Sequence, residues 1–225
     1  GRWETTHEEG TTLVYGGLAA GGNALQWGVR WGNWIGSSAL TANQSRFATA
    51  WNLRRTRNSW GATVEFEYEA VEQPVGAGGL AYTKASYPRR ITDAYGRTVV
   101  FNYAPKTFQP GQVCEYQDPH KPIPDDTPDA YQSRYETQYL DSLDVRSAGG
   151  EALFSMQFAY DLFNAGASGD PAYPYLWKRR LLSARQENAE GASPPALEFD
   201  YFDADAPAPG SLKTITYPTG GSATY

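Results

Sequence analysis

Short runs of alternating apolar and polar residues, separated by polar turns that contain glycine, make up most of this chain. The pattern is clearest between Trp51 and Tyr103, where WNLRRTRNSWGATVEFEY and RRITDAYGRTVVFNY share one plan. Each stretch has a strand, a polar turn closed by Gly61 or Gly96, and a second strand that ends in Phe-x-Tyr. A period of two and glycine-containing turns are typical of β-hairpins. The pattern therefore predicts two copies of one hairpin.

The Phe-x-Tyr ending recurs along the chain. With 9 Phe and 16 Tyr in 225 residues, chance placement gives about 0.6 such pairs, so four copies indicate an internal repeat. The residues that define the repeat are Phe66, Tyr68, Phe101, Tyr103, Phe158, Tyr160, Phe199 and Tyr201. Because alternate side chains of a strand share a face, both rings of each copy are expected on one side of the sheet. The predicted fold class is all-β, built from stacked antiparallel hairpins.

Other segments follow the same plan. Hairpins are predicted over residues 1–16, 131–160 and 176–201, and a further one begins at residue 212. Between them, residues 104–130 contain six prolines and several aspartates, which predicts an acidic surface insertion because prolines do not fit a central strand. The expected organisation is one continuous repeat domain, with hairpins over 1–103, the insertion over 104–130 and hairpins over 131–225. No capping element is evident, so a longer parent polypeptide is expected.

Residues 23–35, NALQWGVRWGNWI, fit two templates. Trp27, Trp31 and Trp34 have helical spacing, but each glycine inside one helix would cost about 1 kcal/mol relative to alanine. A strand with Trp27 and Trp31 on the same face is therefore preferred. Two roles fit these rings: a platform on which sugar rings stack, or filling of the core, which is the usual role of large aromatic side chains.

Composition and charge narrow the function classes. The net charge of −6 and pI of about 5.0 disfavour nucleic-acid binding, which needs clustered lysine and arginine. No apolar run reaches the roughly 18 residues of a membrane-spanning helix. The first residues lack the order of a signal peptide, so any export is expected to be directed by a signal or secretion system outside this chain. Cys114 is the only cysteine, which excludes an internal disulfide.

No motif for catalysis or metal binding is present. His7 and His120 are the only imidazoles, and neither belongs to HExxH or a similar arrangement. The aspartates of the insertion match no calcium loop; they are Asp118, Asp125, Asp126 and Asp129. A thiol pair of Cys114 with His120 would lie in a proline-rich loop, which is a poor place to hold catalytic geometry. A non-enzymatic protein without cofactor or metal is expected.

These motifs together resemble the rearrangement-hotspot (Rhs) or YD-repeat family. The segment ITDAYGRTVVFNY at 91–103 and YPTGG at 217–221 look like repeat units. The opening GRW, EGT and YG, followed by WNL at 51–53 and the strand that ends at Tyr68, resembles the domain shared by virulence-plasmid B proteins and the B components of insecticidal toxin complexes. Two features depart from the family pattern: the turn at 57–61 lacks the usual Asp and Gly-Asn, and the proline-rich insertion belongs to no repeat.

The resemblance implies a spiral YD-repeat sheet that forms part of a larger hollow β-shell. It further implies a non-catalytic scaffold of a secreted or cell-surface bacterial protein, which encapsulates or presents a toxin or effector domain. The partners would then be other segments of the same polypeptide or the enclosed domain. Two alternatives remain open: an adhesin-like module that binds carbohydrates or a receptor through Trp27, Trp31 and Trp34 or through exposed repeat tyrosines, and a glycan-active enzyme.

Overall fold

The computed structural model describes residues 1–19, 22–31, 44–74, 80–109, 113–115, 135–170 and 173–225. Within these ranges the chain consists of strands and turns, with no helix. The chain divides into two compact units, the first formed by Gly1–Arg97 with Asp118–Glu136 and the second by Thr98–Gln117 with Thr137–Tyr225. The predicted all-β fold of antiparallel hairpins is confirmed.

The described residues of the first unit form nine strands. They are β1 (Arg2–Thr6), β2 (Thr12–Gly16), β3 (Leu18–Ala19), β4 (Gly22–Asn23), β5 (Leu25–Trp31), β6 (Gln44–Trp51), β7 (Leu53–Arg57), β8 (Thr63–Pro74) and β9 (Ala81–Thr92). Five of them form an antiparallel sheet in the order β1-β2-β7-β8-β9. The other four form two-stranded ribbons, β3 with β4 and β5 with β6.

The core of the first unit lies where β5 packs against β9. Val29 and Tyr82 are both 4% exposed, and Leu80 packs against them. The backbone N–H of Trp27 donates to Thr83 Oγ1 at 2.8 Å, which joins the ribbon to the sheet. The strand predicted for residues 25–31 is confirmed. Its Gly28 packs closely against β6, because a β-carbon there would lie 2.8 Å from Phe47 Cζ.

The stretch around Trp51 differs from the prediction of one strand beginning at that residue. Trp51 ends β6 and Leu53 begins β7, so Asn52 forms a corner between two strands. Asn52 donates its backbone N–H to Ala24 O at 2.8 Å and accepts from Gly16 N at 2.9 Å. Its side chain also donates to Ser86 Oγ. The corner is thus held by contacts with residues distant in the sequence, which alternation of apolar and polar residues does not reveal.

The part of the second unit that the structure describes also forms nine strands. They are β10 (Thr98–Pro105), β11 (Phe108–Gln109), β12 (Val113–Cys114), β13 (Gln138–Arg146), β14 (Ala152–Asp170), β15 (Tyr173–Asn188), β16 (Leu197–Tyr201), β17 (Leu212–Thr216) and β18 (Ser222–Thr224). Seven form an antiparallel sheet in the order β10-β13-β14-β15-β16-β17-β18, and β11 pairs with β12.

The two units differ in how their side chains are buried. Among the described residues, every fully buried apolar side chain lies in the first unit; these are Val14, Ala24, Leu25, Val29, Tyr82, Ala85 and Tyr87. The apolar side chains of the second unit whose burial the structure describes are half-buried or exposed. Because half-buried side chains gain less from leaving water, specific contacts between strands have to supply more of the stability there. No apolar helix of membrane-spanning length occurs among the described residues.

Candidate functional site

Six hairpin turns share one geometry. In each, the first residue donates its N–H to the carbonyl of the fifth, and the glycine at the fourth position donates to the carbonyl of the first, at 2.8–3.0 Å. The glycine has φ between 80° and 87° in all six turns, the left-handed conformation of a three-residue hairpin loop. The turns are His7–Thr11, Asn58–Ala62, Asp93–Arg97, Ser147–Glu151, Asn188–Ala192 and Tyr217–Gly221.

In several turns, the side chain of the first residue stabilises the loop that follows it. Asn58 Oδ1 accepts from the backbone N–H groups of Trp60 and Ala62, at 3.1 and 2.9 Å. Asp93 and Asn188 make the same two bonds in their own turns. Such bonds satisfy backbone donors that the tight loop would otherwise leave without partners. These polar side chains therefore serve the hairpins themselves.

The tyrosines of the Phe-x-Tyr motif have a shared structural role. The hydroxyl groups of Tyr68, Tyr160 and Tyr201 donate to backbone carbonyls of leucines on the preceding strand, at 2.6–2.8 Å. The acceptors are Leu53, Leu140 and Leu181, respectively. Burial raises the pKa of all three hydroxyls above that of a free tyrosine. The hydroxyls therefore remain protonated, and able to donate, at neutral pH.

A β-bulge accompanies each Phe-x-Tyr motif. Opposite the tyrosine and the residue before it, the following strand has one extra residue. For example, Ala159 pairs with Ser183 and Tyr160 pairs with Leu181, which leaves Leu182 between them. The following strand has an extra residue at the same point beside Tyr68, Tyr103 and Tyr201. The extra residues are Arg89, Asp141, Leu182 and Lys213, all of them exposed. Since the insertion is on the partner strand, the Phe-x-Tyr strand keeps its own period of two.

A fifth copy of this arrangement lies in the first hairpin. Between β2 and β7 the pair Val14↔Arg55 is followed by Tyr15↔Leu53, so Arg54 is the extra residue. The motif here reads Leu13-Val14-Tyr15, and its leucine in place of phenylalanine hid it from the sequence pattern. The bulge at Tyr15 shows that the structural repeat extends beyond the four Phe-x-Tyr copies.

The repeat tyrosines and the leucines opposite them form a line across the sheet of the second unit. In the second unit Tyr103 lies opposite Leu140, whose carbonyl binds the hydroxyl of Tyr160. Tyr160 in turn lies opposite Leu181, whose carbonyl binds the hydroxyl of Tyr201. Tyr68, Tyr160 and Tyr201 therefore each contact the strand before them through the hydroxyl group and the strand after them through the backbone. We call this arrangement the tyrosine–leucine line.

Removing the hydroxyls tests the contribution of the tyrosine–leucine line. Tyr160→Phe and Tyr201→Phe are each expected to lower the free energy of unfolding by about 1 kcal/mol, because a half-buried carbonyl loses its donor. Urea denaturation measures the change. Tyr217→Phe, at a residue that is 44% exposed, is the control and is expected to change stability by less than about 0.5 kcal/mol. Equal effects at all three positions would contradict the assigned role.

An ion pair with a buried carboxylate lies beside this line in the second unit. Arg179 on β15 donates from Nε and Nη2 to the two carboxylate oxygens of Glu115, both at 2.7 Å. The Glu115 side chain is only 1% exposed and that of Arg179 is 16% exposed. Glu115 also accepts from the backbone N–H of Thr107. Burial alone would raise the pKa of Glu115, but the bonds from Arg179 and Thr107 outweigh it and lower that pKa.

Two aromatic rings lie close to the guanidinium of Arg179. It lies 3.7 Å from the ring centre of Tyr139 and 5.6 Å from that of Tyr160. The two rings meet edge to face, with their centres 5.2 Å apart. Arg180 forms a second group of this kind, paired with Asp161 and lying 4.4 Å from Phe163 and 5.0 Å from Tyr201. Cation–π contacts of this kind stabilise a charge that has lost part of its water.

Of the three tryptophans of the predicted stacking platform, Trp27 alone has its side chain among the described residues. Trp27 is half-buried, and the guanidinium of Arg46 lies 4.8 Å from its ring centre. Arg46 is itself paired with Glu72 at 2.6 Å. One face of the Trp27 indole is thus covered by the protein. The side chain of Trp31 and the whole of Trp34 lie outside the described residues.

The other sequence candidates are distributed as follows. The eight repeat-defining residues are half-buried and lie on β8, β10, β14 and β16. His7 begins the first turn. His120, the four aspartates of the insertion and the Cys114 side chain lie outside the described residues. Within the described part of the chain, no three His, Cys, Asp or Glu side chains are grouped as a metal site.

Glu115, Arg179 and Arg180 were not predicted from the sequence. Glu115 belongs to the insertion that was expected to be a solvated surface segment, yet its side chain is almost fully buried. Arg179 and Arg180 occur in LWKRRLLSARQEN, where charged residues suggest a solvated face. The only local signal is that two adjacent arginines precede Leu181, the residue whose carbonyl accepts a repeat tyrosine.

Comparison with known proteins gives structural neighbours only. No family model matches the chain, and no curated protein matches it. The crystal structure of TcdB2-TccC3-TEV aligns over 90% of this chain at 11% identity with a TM-score of 0.46, and that of TcdB2-TccC3 over 88% at 12% identity with a TM-score of 0.43. The N-terminal domain of the effector protein SpvB from Salmonella typhimurium strain LT2 aligns over 83% at 10% identity with a TM-score of 0.45. This chain spans 10–12% of the length of the TcdB2-TccC3 chains and 61% of the SpvB domain.

Proposed function

We propose that this chain is a non-catalytic β-scaffold of the Rhs/YD-repeat type, which forms part of the wall around a toxin or effector domain. The tyrosine–leucine line is the observation that carries the proposal. In the second unit it joins the two strands of a hairpin through a tyrosine hydroxyl, and it joins successive hairpins through the paired backbone of the same tyrosine. A sheet built in this way can be extended by repetition, as a wall requires.

The position of the bulges supports an enclosing function. One extra residue recurs on β7 and β9 in the first unit and on β13, β15 and β17 in the second. A bulge bends its strand and increases the local right-handed twist. Bulges that recur at the same step on successive hairpins therefore bend a sheet repeatedly in the same sense. Sheets that must curve use bulges in this way.

The use of polar side chains supports the non-catalytic assignment. Asn58, Asp93 and Asn188 bond the backbone of their own turns. Glu115 and Asp161 are both paired with arginines. A catalytic acid or base must reach a substrate, whereas these groups are engaged in holding strands and turns. The scaffold assignment places the protein outside the cell or at its surface, with the enclosed domain and other segments of the same polypeptide as partners.

The native polypeptide provides the test of this proposal. Mass spectrometry of the denatured protein from its source, with both termini sequenced, is expected to show a chain far longer than 24.8 kDa with further repeats and a dissimilar domain. That domain should resist protease in the native protein and become sensitive when the repeats are unfolded. A native species that is a 24.8 kDa monomer, or a domain digested equally in both states, would overturn encapsulation.

A further inference from the structure

Two aromatic side chains project from neighbouring turns of the first unit. Trp60 is 89% exposed and Tyr95 is 78% exposed, more than any other large hydrophobic residue described. Each occupies the third position of its turn. The same position in the other four turns holds Glu9, Gly149, Glu190 and Thr219. The shared turn geometry therefore does not require an aromatic residue at this position, and both rings are left largely in solvent.

The turns that carry these two rings lie at the same end of the sheet. Glu65 at the start of β8 lies opposite Thr92 at the end of β9, so the turns that precede β8 and follow β9 are at the same end of the sheet. The turns belong to consecutive hairpins, two strands apart, which separates them by about 10 Å. The backbone N–H groups of Trp60 and Tyr95 donate to the side chains of Asn58 and Asp93, and these bonds hold both turns in shape. The backbone that carries the two rings is thus preorganised.

Polar groups flank the two rings. Arg97, whose side chain is 59% exposed, pairs with Asp93 at 2.6 Å and lies 5.6 Å from the ring centre of Tyr95. On the other side, the first turn approaches Ser59, because a β-carbon at Gly10 would lie 3.1 Å from the β-carbon of Ser59. That turn carries the exposed Glu9. Hydrogen-bond donors and acceptors are therefore available on both sides of the rings.

We propose that Trp60 and Tyr95 form a binding site for an extended β-1,4-linked oligosaccharide. The C–H face of a pyranose ring is apolar and stacks on the flat face of an indole or phenol, while its hydroxyl groups bind charged and amide side chains. In a β-1,4-linked chain successive sugars are turned over, so alternate sugars present the same face. Two aromatic rings on turns two strands apart are spaced to contact alternate sugars, with Arg97 and Glu9 positioned for the hydroxyl groups.

The size and charge of the surface favour this ligand over others. A stable protein–protein interface buries roughly 1,200–2,000 Å², far more than two rings offer. Insertion into an anionic membrane is opposed by Glu8 and Glu9 in the adjacent turn and by the net charge of −6. The same charge opposes a nucleic acid. A sugar chain needs only the two stacking faces and a few polar contacts.

Calorimetric titration of the whole chain with cellohexaose and with chitohexaose tests the proposal. At least one hexamer is expected to bind, and the α-1,4-linked maltohexaose is expected to bind more weakly. Trp60→Ala and Tyr95→Ala should each weaken binding at least tenfold, equivalent to about 1.4 kcal/mol. Glu190→Ala changes the same position of the turn between β15 and β16, and should leave affinity unchanged. Unfolding midpoints of all three variants check that the hairpins are intact.

Three results would overturn the proposal. These are no binding of either β-1,4-linked hexamer, binding that both aromatic variants retain, and binding of the wild-type chain to phosphatidylcholine vesicles without binding to either hexamer. The last result would assign the two rings to membrane contact. None of these outcomes bears on the scaffold proposal, which depends on the mass and protection experiments.

Discussion

Replacing Glu115 by alanine is expected to lower the free energy of unfolding by about 3–5 kcal/mol, the usual cost of removing one partner from a buried ion pair. The carboxylate is 1% exposed and binds both donors of the Arg179 fork. Without it, the guanidinium would remain between Tyr139 and Tyr160 with its charge unpaired. Urea denaturation followed by circular dichroism measures the loss.

A matched exposed pair lies on the same strand. Arg185 and Glu187 on β15 are 3.3 Å apart, with side chains 51% and 27% exposed, and Glu187→Ala is expected to cost less than about 1 kcal/mol. Similar losses for Glu115→Ala and Glu187→Ala would show that burial of the first pair is not what matters.

Acid provides a second readout for Glu115. The folded protein lowers the pKa of this carboxyl, so its contribution to stability is fully present above the ordinary glutamate value of about 4.3. The contribution is lost as the pH falls from there through the lowered pKa of the folded state. The wild-type chain should therefore lose stability over this range more steeply than Glu115→Ala does. Parallel acid profiles would contradict the assignment.

Replacing Gly16 by alanine is expected to cost about 3 kcal/mol or more, from two sources. Gly16 has a φ of 69°, a left-handed conformation that costs other residues roughly 1–2 kcal/mol. In addition, the new β-carbon would lie 2.4 Å from Trp51 Cδ1 and 2.9 Å from both Gly1 O and Leu25 Cδ2. Such overpacking typically costs about 1–3 kcal/mol. Tryptophan fluorescence during urea denaturation is a suitable measure, because six of the seven tryptophans fall within the first unit.

Gly61→Ala separates the two contributions. Gly61 has a φ of 85°, but a β-carbon there would meet no atom within 4 Å. Only the backbone strain remains, so a loss of roughly 1–2 kcal/mol is expected. If Gly61→Ala and Gly16→Ala cost the same, the close packing around Gly16 would not contribute.

The hairpins could be predicted from the sequence because their determinants are local. Alternation of apolar and polar residues and a glycine at the fourth turn position are both found within about 15 residues. The turns at Gly61, Gly96 and Gly150 lie where the pattern placed them. The strand at residues 25–31 was also predictable, since glycines disfavour a helix there.

The contacts between hairpins could not be predicted in the same way. Glu115 and Arg179 are 64 residues apart, and nothing near Glu115 indicates that the chain returns to β15. The bulges were missed because one extra residue such as Asp141 or Leu182 leaves the motif of the neighbouring strand unchanged. Tyr15 was missed because its motif begins with leucine. Its backbone nevertheless pairs with Leu53 beside the same kind of bulge.

The tyrosine–leucine line also has a consequence for the order of folding. The hydroxyl bonds of Tyr68, Tyr160 and Tyr201 span only 15 to 20 residues, so each closes within its own hairpin. The backbone of the same tyrosine then pairs with the bulged strand of the hairpin that follows. Short sequence separation favours rapid formation. Each hairpin can therefore be completed before the next is available, and a chain that emerges from one end can fold progressively without waiting for its last residues.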